Sequence, residues 1–211
     1  MGKNLRIDEV CESFKETRLV DTPDLRLAEM RSSTSPENIG PLRDRLVEAF
    51  DEYDICPSIV APQACMAIEE ALANAFFHGN LELESSLKEL DGGTRFSELA
   101  KQRSTMLPWK DREVTVTELA TPFGLWLTIS DEGAGFDVQS VLNLEISPEL
   151  MLASGLGLVM MKAFSDNLLF NAKGNEVTLV FYSERNRDVK ELISERQQSR
   201  RVRGTTPHSL I

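Results

Sequence analysis

The chain has 211 residues, of which 41% are hydrophobic and 27% charged, and a net charge of −11. This composition fits one globular domain and disfavours broad nucleic-acid binding, which relies on Lys and Arg to neutralise phosphates. No apolar run reaches the roughly 20 residues of a membrane span, and the first residues do not resemble a signal peptide, so we expect a cytoplasmic protein without membrane contact. Three widely spaced cysteines predict neither a disulfide framework nor a zinc site.

Residues 25–183 are predicted to form the folded domain, between a polar lead-in (1–24) and a charged tail (184–211). The first strand is expected at Leu25–Met30, with the two leucines on its apolar face. The tail begins with a segment that could form one more short helix. Its arginines have no aromatic residues between them, which favours a solvated tail over a nucleic-acid arm.

The remaining elements follow from periodicity and turn residues. Ser35 followed by Pro36 is typical of a helix start. We predict further helices at about 62–78, 96–103 and 156–166, paired strands at 114–119 and 125–130, and a hairpin of strands 168–171 and 176–182. Because helices flank strands that collect mainly in the C-terminal half, the predicted class is α+β: a two-layer α/β sandwich whose mostly antiparallel sheet is covered by helices on one face.

The first motif lies on the helix predicted at 62–78 and reads Glu70-Ala-Leu-Ala-Asn74-Ala-Phe-Phe-His78-Gly79-Asn80. Glu70, Asn74 and His78 recur every four residues and form one polar stripe. The Asn oxygen suits a hard magnesium ion that also takes phosphate oxygens. Glu70 is placed to accept a proton from an attacking hydroxyl or water. An ordinary polar helix edge would show the same residues.

The second motif, Asp131-Glu-Gly133-Ala-Gly135-Phe136, follows a predicted strand. An acidic side chain at a strand end can accept a hydrogen bond from an exocyclic amine such as that of adenine. Gly133 and Gly135 allow positive φ and a close approach of the backbone to a ligand. A plain surface turn is the structural alternative.

The third motif, Ser154-Gly155-Leu156-Gly157-Leu158, opens a predicted helix. Free backbone N–H groups and the positive end of the helix dipole make such a start a phosphate site. A glycine-rich helix start is also a common structural device. The chain has neither a P-loop sequence nor the protein-kinase set of motifs.

In this order the three motifs resemble the N, G1 and G2 boxes of the GHKL nucleotide-binding superfamily, which includes gyrase, heat-shock chaperones, histidine kinases and mismatch-repair ATPases. Within this superfamily the amino-acid sequence is most similar to bacterial anti-sigma-factor serine/threonine kinases. The similarity lies in the three motifs, in Met161…Phe164-Ser-Asp166 and in Lys173-Gly-Asn-Glu-Val-Thr-Leu179. The resemblance covers about residues 25–183. It departs from compact family members in a longer segment at 81–110.

The resemblance implies ATP and Mg²⁺ as ligands, with Glu70 as the catalytic base and Asn74 as the magnesium ligand. Asp131 would contact adenine, and a short lid would lie at about 137–154. The implied nucleotide-binding residues are Asn74, His78, Asp131, Gly133, Gly135, Phe136, Ser154, Gly155, Leu156, Gly157 and Leu158.

The resemblance also implies two activities: transfer of the γ-phosphoryl group of ATP to a Ser or Thr of an antagonist protein, and binding of a sigma factor. Related kinases tend to be homodimers through the first-helix region, here Pro36–Tyr53. Neither a nucleic acid nor a membrane is expected as a partner.

Three alternatives differ in what they require. A histidine kinase needs a phosphoaccepting histidine, but the chain has only His78, inside the first motif, and His208. A gyrase or mismatch-repair ATPase needs further domains, for which this length leaves no room. A non-catalytic ATP-binding regulatory module that binds a protein partner stays open, although it would not require Glu70 as a base.

Overall fold

The computed structural model describes residues 7–10, 13–55, 61–88, 90–139 and 156–186. Of the predicted site residues, Ser154 and Gly155 lie outside these ranges. Nearly all of the predicted lid and most of the predicted C-terminal tail lie outside them as well.

A single antiparallel sheet forms one layer of the described part of the chain. Its order is β1-β2-β3-β4-β5-β7-β6, and each neighbouring pair runs antiparallel. The strands are β1 Ile7–Val10, β2 Lys15–Thr22, β3 Leu25–Ser33, β4 Glu113–Thr121, β5 Gly124–Ser130, β6 Asn167–Phe170 and β7 Glu176–Tyr182. The predicted strand pair and the C-terminal hairpin are therefore confirmed.

Helices form the second layer. They are α1 Ile39–Glu52, α2 Ala61–Ala73, α3 Thr94–Ser104 and α4 Leu156–Phe164. A 3₁₀ turn, Pro36–Asn38, leads into α1 at the predicted start, and α2 continues as a π-helical segment, Asn74–Asn80. Apolar residues of α1, α2 and α4 share one core with β3, β4, β5 and β7, which confirms the α+β sandwich. Among the described residues no helix is long and apolar enough to cross a membrane.

The sheet begins earlier in the chain than the sequence analysis predicted. β1 and β2 lie within residues 1–24, which we interpreted as a lead-in, so the strand expected to be first is the third. In β2, Glu16 pairs with Met30 of β3, and it is buried. Because a charged residue holds this core-facing position, β2 shows no apolar alternation that would reveal it as a strand.

The predicted apolar face of β3 was wrong. Its buried positions are Arg26, Ala28, Met30 and Ser32, whereas the two leucines lie half-buried on the other face. Alternation with a period of two shows that a strand has two faces, but not which face is turned towards the helices. That choice depends on which side chains are available there as partners. For Arg26 those partners are carboxylates.

A buried ion-pair network joins the strands to α1. Arg26 donates to Glu118 of β4 through Nη2 at 2.6 Å and Nε at 2.9 Å, and it also contacts Glu52 of α1. Arg45 of α1 donates to Glu16 at 2.5 and 2.9 Å and lies 3.2 Å from Glu118. Burial raises the pKa of Glu118 despite both guanidinium groups. Burial also tends to raise the pKa of Glu16, but Arg45 and Arg18 beside it outweigh that effect, so the pKa of Glu16 is lowered.

The segment 81–110, called here the inserted segment, has a small core of its own. Leu81, Leu83, Phe96 and Ala100 form this core, and Phe77 of the π-helical segment packs against it. The predicted helix at 96–103 is confirmed as α3. The inserted segment therefore packs directly on the end of α2.

We expect Arg26→Met to lower the free energy of unfolding by about 3 kcal/mol, because it leaves the buried Glu118 carboxyl with one partner fewer. Urea denaturation measures the change. The matched control is Arg31→Met on the same strand, since the ion pair of Arg31 with Glu29 is exposed and its loss should leave the midpoint unchanged. Equal midpoints for the two variants would show that the network does not stabilise the fold.

Candidate functional site

The acid and the amide of the first motif meet the start of α4. Glu70 and Asn74 lie one turn apart on the α2 side of the interface and are half-buried. A Cβ added to Gly157 would lie 2.5 Å from Glu70 Oε2 and 4.0 Å from Asn74 Nδ2. Neither side chain hydrogen-bonds to any described residue, so both are available to a ligand. The structure thus brings together the two motifs that the sequence analysis associated with phosphate and magnesium.

The first described turn of α4 lies at the same place and contains Leu156, Gly157 and Leu158. N–H groups in the first turn of an α-helix have no intrahelical partners. Leu158 packs against the main core, whereas Leu156 is exposed. The N–H groups of this turn can therefore bind an anion held beside Glu70.

The acid of the second motif lies against the end of the first. Asp131 follows β5, and a Cβ added to Gly79 would collide with its carboxyl group. Asp131 Oδ1 accepts a hydrogen bond of 2.8 Å from the N–H of Gly133. Burial raises the pKa of Asp131 to about 6, although that bond and the charges of Lys173 and Arg112 act in the opposite direction.

The positive φ that we expected is found at Gly135 but not at Gly133. Gly133 does not have a positive φ; instead, its missing Cβ makes room for the carbonyl oxygen of Gly79. Gly135 does have a positive φ of 77°, and a Cβ there would collide with the carbonyl oxygen of Lys173. The close approaches seen here are thus made by the protein's own backbone.

The β6–β7 hairpin holds the turn that follows Asp131. Asp131 and Asn175 exchange two hydrogen bonds: the Asp131 N–H donates to the Asn175 carbonyl (3.0 Å), and Asn175 Nδ2 donates to the Asp131 carbonyl (2.6 Å). Lys173 Nζ donates to the carbonyl of Gly133 at 2.8 Å. Phe136 is partly exposed and meets Phe170 edge to face, with ring centroids 5.5 Å apart. The second motif is therefore fixed from the side opposite α2.

His78 has protein partners rather than an open position. Its Nδ1 lies 2.5 Å from the Leu83 carbonyl and its Nε2 lies 3.4 Å from Ser85 Oγ. Burial lowers its pKa. The π-helical segment makes a wider turn than an α-helix, and from this segment the His78 ring contacts the inserted segment. Contact of His78 with a nucleotide stays a prediction, and both ring nitrogens are already engaged.

Four residues that support the site were not among the predicted site residues. They are Gly79 and Asn80, which end the first motif, and Lys173 and Asn175, which lie in the hairpin turn. The sequence could have indicated them, because each one lies within a stretch that carries the family resemblance. What the sequence did not show was which motif each one contacts.

The two groups of site residues fit the two ends of an elongated anionic ligand. Glu70 and Gly79 are separated by nine positions along one helix, roughly 13 Å at an α-helical rise. No three His, Cys, Asp or Glu side chains among the described residues could hold a metal ion. A magnesium ion bound at Asn74 would therefore take its other ligands largely from phosphates and water, which is how Mg²⁺ commonly binds beside nucleotides.

The two-layer sandwich, with an acid–amide pair on one helix, a half-buried acid after a strand and a glycine at a facing helix start, is consistent with an ATPase domain of the GHKL type. The family model described as histidine kinase-like ATPase domain matches residues 32–181, and the chain belongs to this family. No match is found among curated proteins. Membership implies ATP binding, usually with Mg²⁺.

Binding of ATP should weaken as the pH falls through about 6. The Asp131 carboxyl group accepts most strongly from an amine when it is ionised, and with a pKa of about 6 it is about nine-tenths protonated at pH 5. We therefore expect affinity to fall roughly tenfold between pH 7.5 and pH 5, measured by calorimetry with Mg–ATP.

Asp131→Asn is the control for the titration of ATP itself, because the variant cannot ionise at this position. Its affinity should be lower throughout and its pH dependence should be shallower. Identical pH dependences for the two proteins would contradict the role assigned to the Asp131 carboxylate.

Proposed function

We propose that the protein is an ATP-dependent serine/threonine kinase of the anti-sigma-factor type, which phosphorylates an antagonist protein and sequesters a sigma factor. The observation that carries this proposal is the position of Glu70. Its carboxylate lies against Gly157 at the α4 start, where the terminal phosphate of a nucleotide would be held. A nucleotide-binding module without catalysis has no need of a carboxylate there.

In the proposed reaction the hydroxyl oxygen of the acceptor Ser or Thr attacks the γ-phosphorus. The bond from that phosphorus to the bridging oxygen of the β-phosphate breaks, and ADP leaves. Glu70 accepts the hydroxyl proton, Asn74 supplies an oxygen ligand to Mg²⁺, and the N–H groups of α4 bind phosphate oxygens. Asp131 accepts a hydrogen bond from the amino group of adenine and so fixes the adenine ring. When bound, Mg²⁺ neutralises phosphate charge.

A histidine-kinase reaction is disfavoured by the surroundings of His78. Its Nδ1 bonds to the Leu83 carbonyl. A phosphoaccepting residue needs an exposed position, whereas His78 is half-buried. The other histidine, His208, lies outside the described residues. Transfer to a separate protein is therefore the form of the reaction that we propose.

A role as a non-catalytic ATP-binding regulatory module is the second candidate. The inserted segment exposes neighbouring apolar side chains, Met106 at 45% and Leu107 at 62%, and exposed apolar residues that adjoin one another are typical of protein-contact surfaces. This feature supports a protein partner in either proposal. Catalysis by Glu70 separates the two.

Glu70→Gln should abolish phosphoryl transfer while leaving the affinity for Mg–ATP within about threefold of wild type, because it removes the base and keeps the shape. The loss expected from removing a general base is roughly 10²–10⁴-fold. Transfer is measured with γ-labelled ATP and the antagonist protein that the chain binds.

Glu69→Gln is the matched control, since Glu69 is the neighbouring carboxylate but is exposed and pairs with Arg43. It should transfer phosphate at the wild-type rate. If Glu70→Gln also does so, the base is another group and Glu70 has a different role.

Gly157→Ala tests the contact between α4 and the acid. The added Cβ would lie 2.5 Å from Glu70 Oε2, so the carboxylate has to move. We expect transfer to fall by up to roughly 10²-fold, since small displacements of a reacting group are costly. Gly40→Ala is the control, because a Cβ there meets nothing within 4 Å. Unchanged transfer in Gly157→Ala would mean that Glu70 acts from another position.

A further inference from the structure

Asn80 is a fully buried polar residue that the proposed reaction does not use. It ends the π-helical segment and is 0% exposed. Its Oδ1 accepts a hydrogen bond of 2.7 Å from the N–H of Glu132, and its Nδ2 donates to Thr34 Oγ1 at 2.9 Å. Its backbone carbonyl accepts from Arg112 Nη1 at 2.6 Å. Every polar group of the side chain is thus paired, as burial requires.

The chemistry of its partners fixes the orientation of the Asn80 amide. A backbone N–H can only donate, so the atom facing Glu132 must be the amide oxygen. The Thr34 hydroxyl donates to the Arg112 carbonyl at 2.9 Å, so towards Asn80 it acts as an acceptor. The Asn80 amide therefore joins the loop between β3 and α1 to the turn after β5.

This turn is the one that carries the half-buried Asp131. Glu132 lies between Asp131 and Gly133, so a bond to its N–H acts on the backbone beside the Asp131 carboxyl group. That carboxyl group packs on Gly79, the residue before Asn80. The Glu132 side chain in turn accepts a bond of 3.1 Å from the N–H of Glu113 at the start of β4.

We propose that Asn80 is a positioning residue for nucleotide binding. By accepting a hydrogen bond from the N–H of Glu132, Asn80 keeps the Asp131 carboxylate in the place where that carboxylate contacts adenine. Asn80 does not itself touch the ligand. Arg112 fixes the Asn80 backbone from another side, and Arg112 Nη2 also bonds to Glu82 at 2.8 Å. The hold on the turn is therefore set by the fold and is present before a nucleotide arrives. The proposal rests on ATP binding by this domain and not on phosphoryl transfer.

The test is a double-mutant cycle on ATP affinity, measured by calorimetry with Mg–ATP on the full chain. Asn80→Leu keeps the branched shape of the side chain, with methyl groups in place of the amide oxygen and nitrogen, and removes both side-chain bonds. We expect it to weaken ATP binding about tenfold, because it leaves the Glu132 N–H without its partner. In an Asp131→Asn background the same change should cost less than about threefold, since the carboxylate that Asn80 positions is then absent.

Thr34→Val separates positioning from general stability. It removes the Thr34 partner of Asn80 but leaves the bond to Glu132, so it should lower thermal stability while ATP affinity stays within about twofold of wild type. A second readout is the pH midpoint of ATP binding. It should move below the wild-type midpoint in Asn80→Leu, because a released Asp131 is better solvated, and it should stay in place in Thr34→Val.

Wild-type affinity in folded Asn80→Leu, equal losses in both backgrounds, or an equal loss in Thr34→Val would each overturn the proposal. If Asn80→Leu does not fold, Asn80→Ser is measured in its place with the same expectations, because a serine hydroxyl is too short to hold both partners. Absence of ATP binding by wild type would instead refute the nucleotide site itself. A wild type that binds ATP but transfers no phosphate would refute only the kinase.

Discussion

Contact between the Asp131 carboxyl group and the backbone of Gly79 is the constraint on which the candidate site depends. A Cβ at residue 79 would occupy the space of that carboxyl group, and a Cβ at Gly133 would collide with the Gly79 carbonyl. The acid after β5 can therefore pack, half-buried, against the end of the first motif only because residues 79 and 133 are glycine. Desolvation there raises the pKa of Asp131, so the packing of a helix end acts on the protonation of this carboxyl group.

The layer beneath the site is joined partly by charge. Arg26, Arg45, Glu16 and Glu118 lie between three strands and α1, but Glu118 Oε2 has no hydrogen bond in the described structure. Buried ion pairs are weak support for net stability. They do constrain register, because a shift of one residue in β3 would move Arg26 to the face away from Glu118. We infer that the network specifies how the N-terminal strands pair, and that the apolar core supplies most of the stability.

The class of fold and the three motifs could be predicted from the sequence because each has a local signal. The helices follow a period near four, the strand pair and hairpin have turn residues between them, and glycines mark the second and third motifs. The positions of β1 and β2 could not be predicted, since Glu16 holds a core-facing place and its partner Arg45 lies far along the chain. The roles of Gly79 and Asn80 depend likewise on contacts with the Asp131 turn, which local patterns do not contain.

One helix carries residues at both ends of the candidate site. Glu70 and Asn74 lie beside Gly157 of α4, whereas His78 lies on the π-helical segment and contacts the inserted segment. A carbonyl can only accept, so His78 Nδ1 donates to Leu83 and Nε2 is left to accept from Ser85. Burial lowers the pKa of His78 and so favours the neutral ring, in which Nε2 can accept. His78, for which the resemblance implies contact with a nucleotide, also fastens the inserted segment to the helix. It lies one residue before the glycine on which the half-buried acid packs.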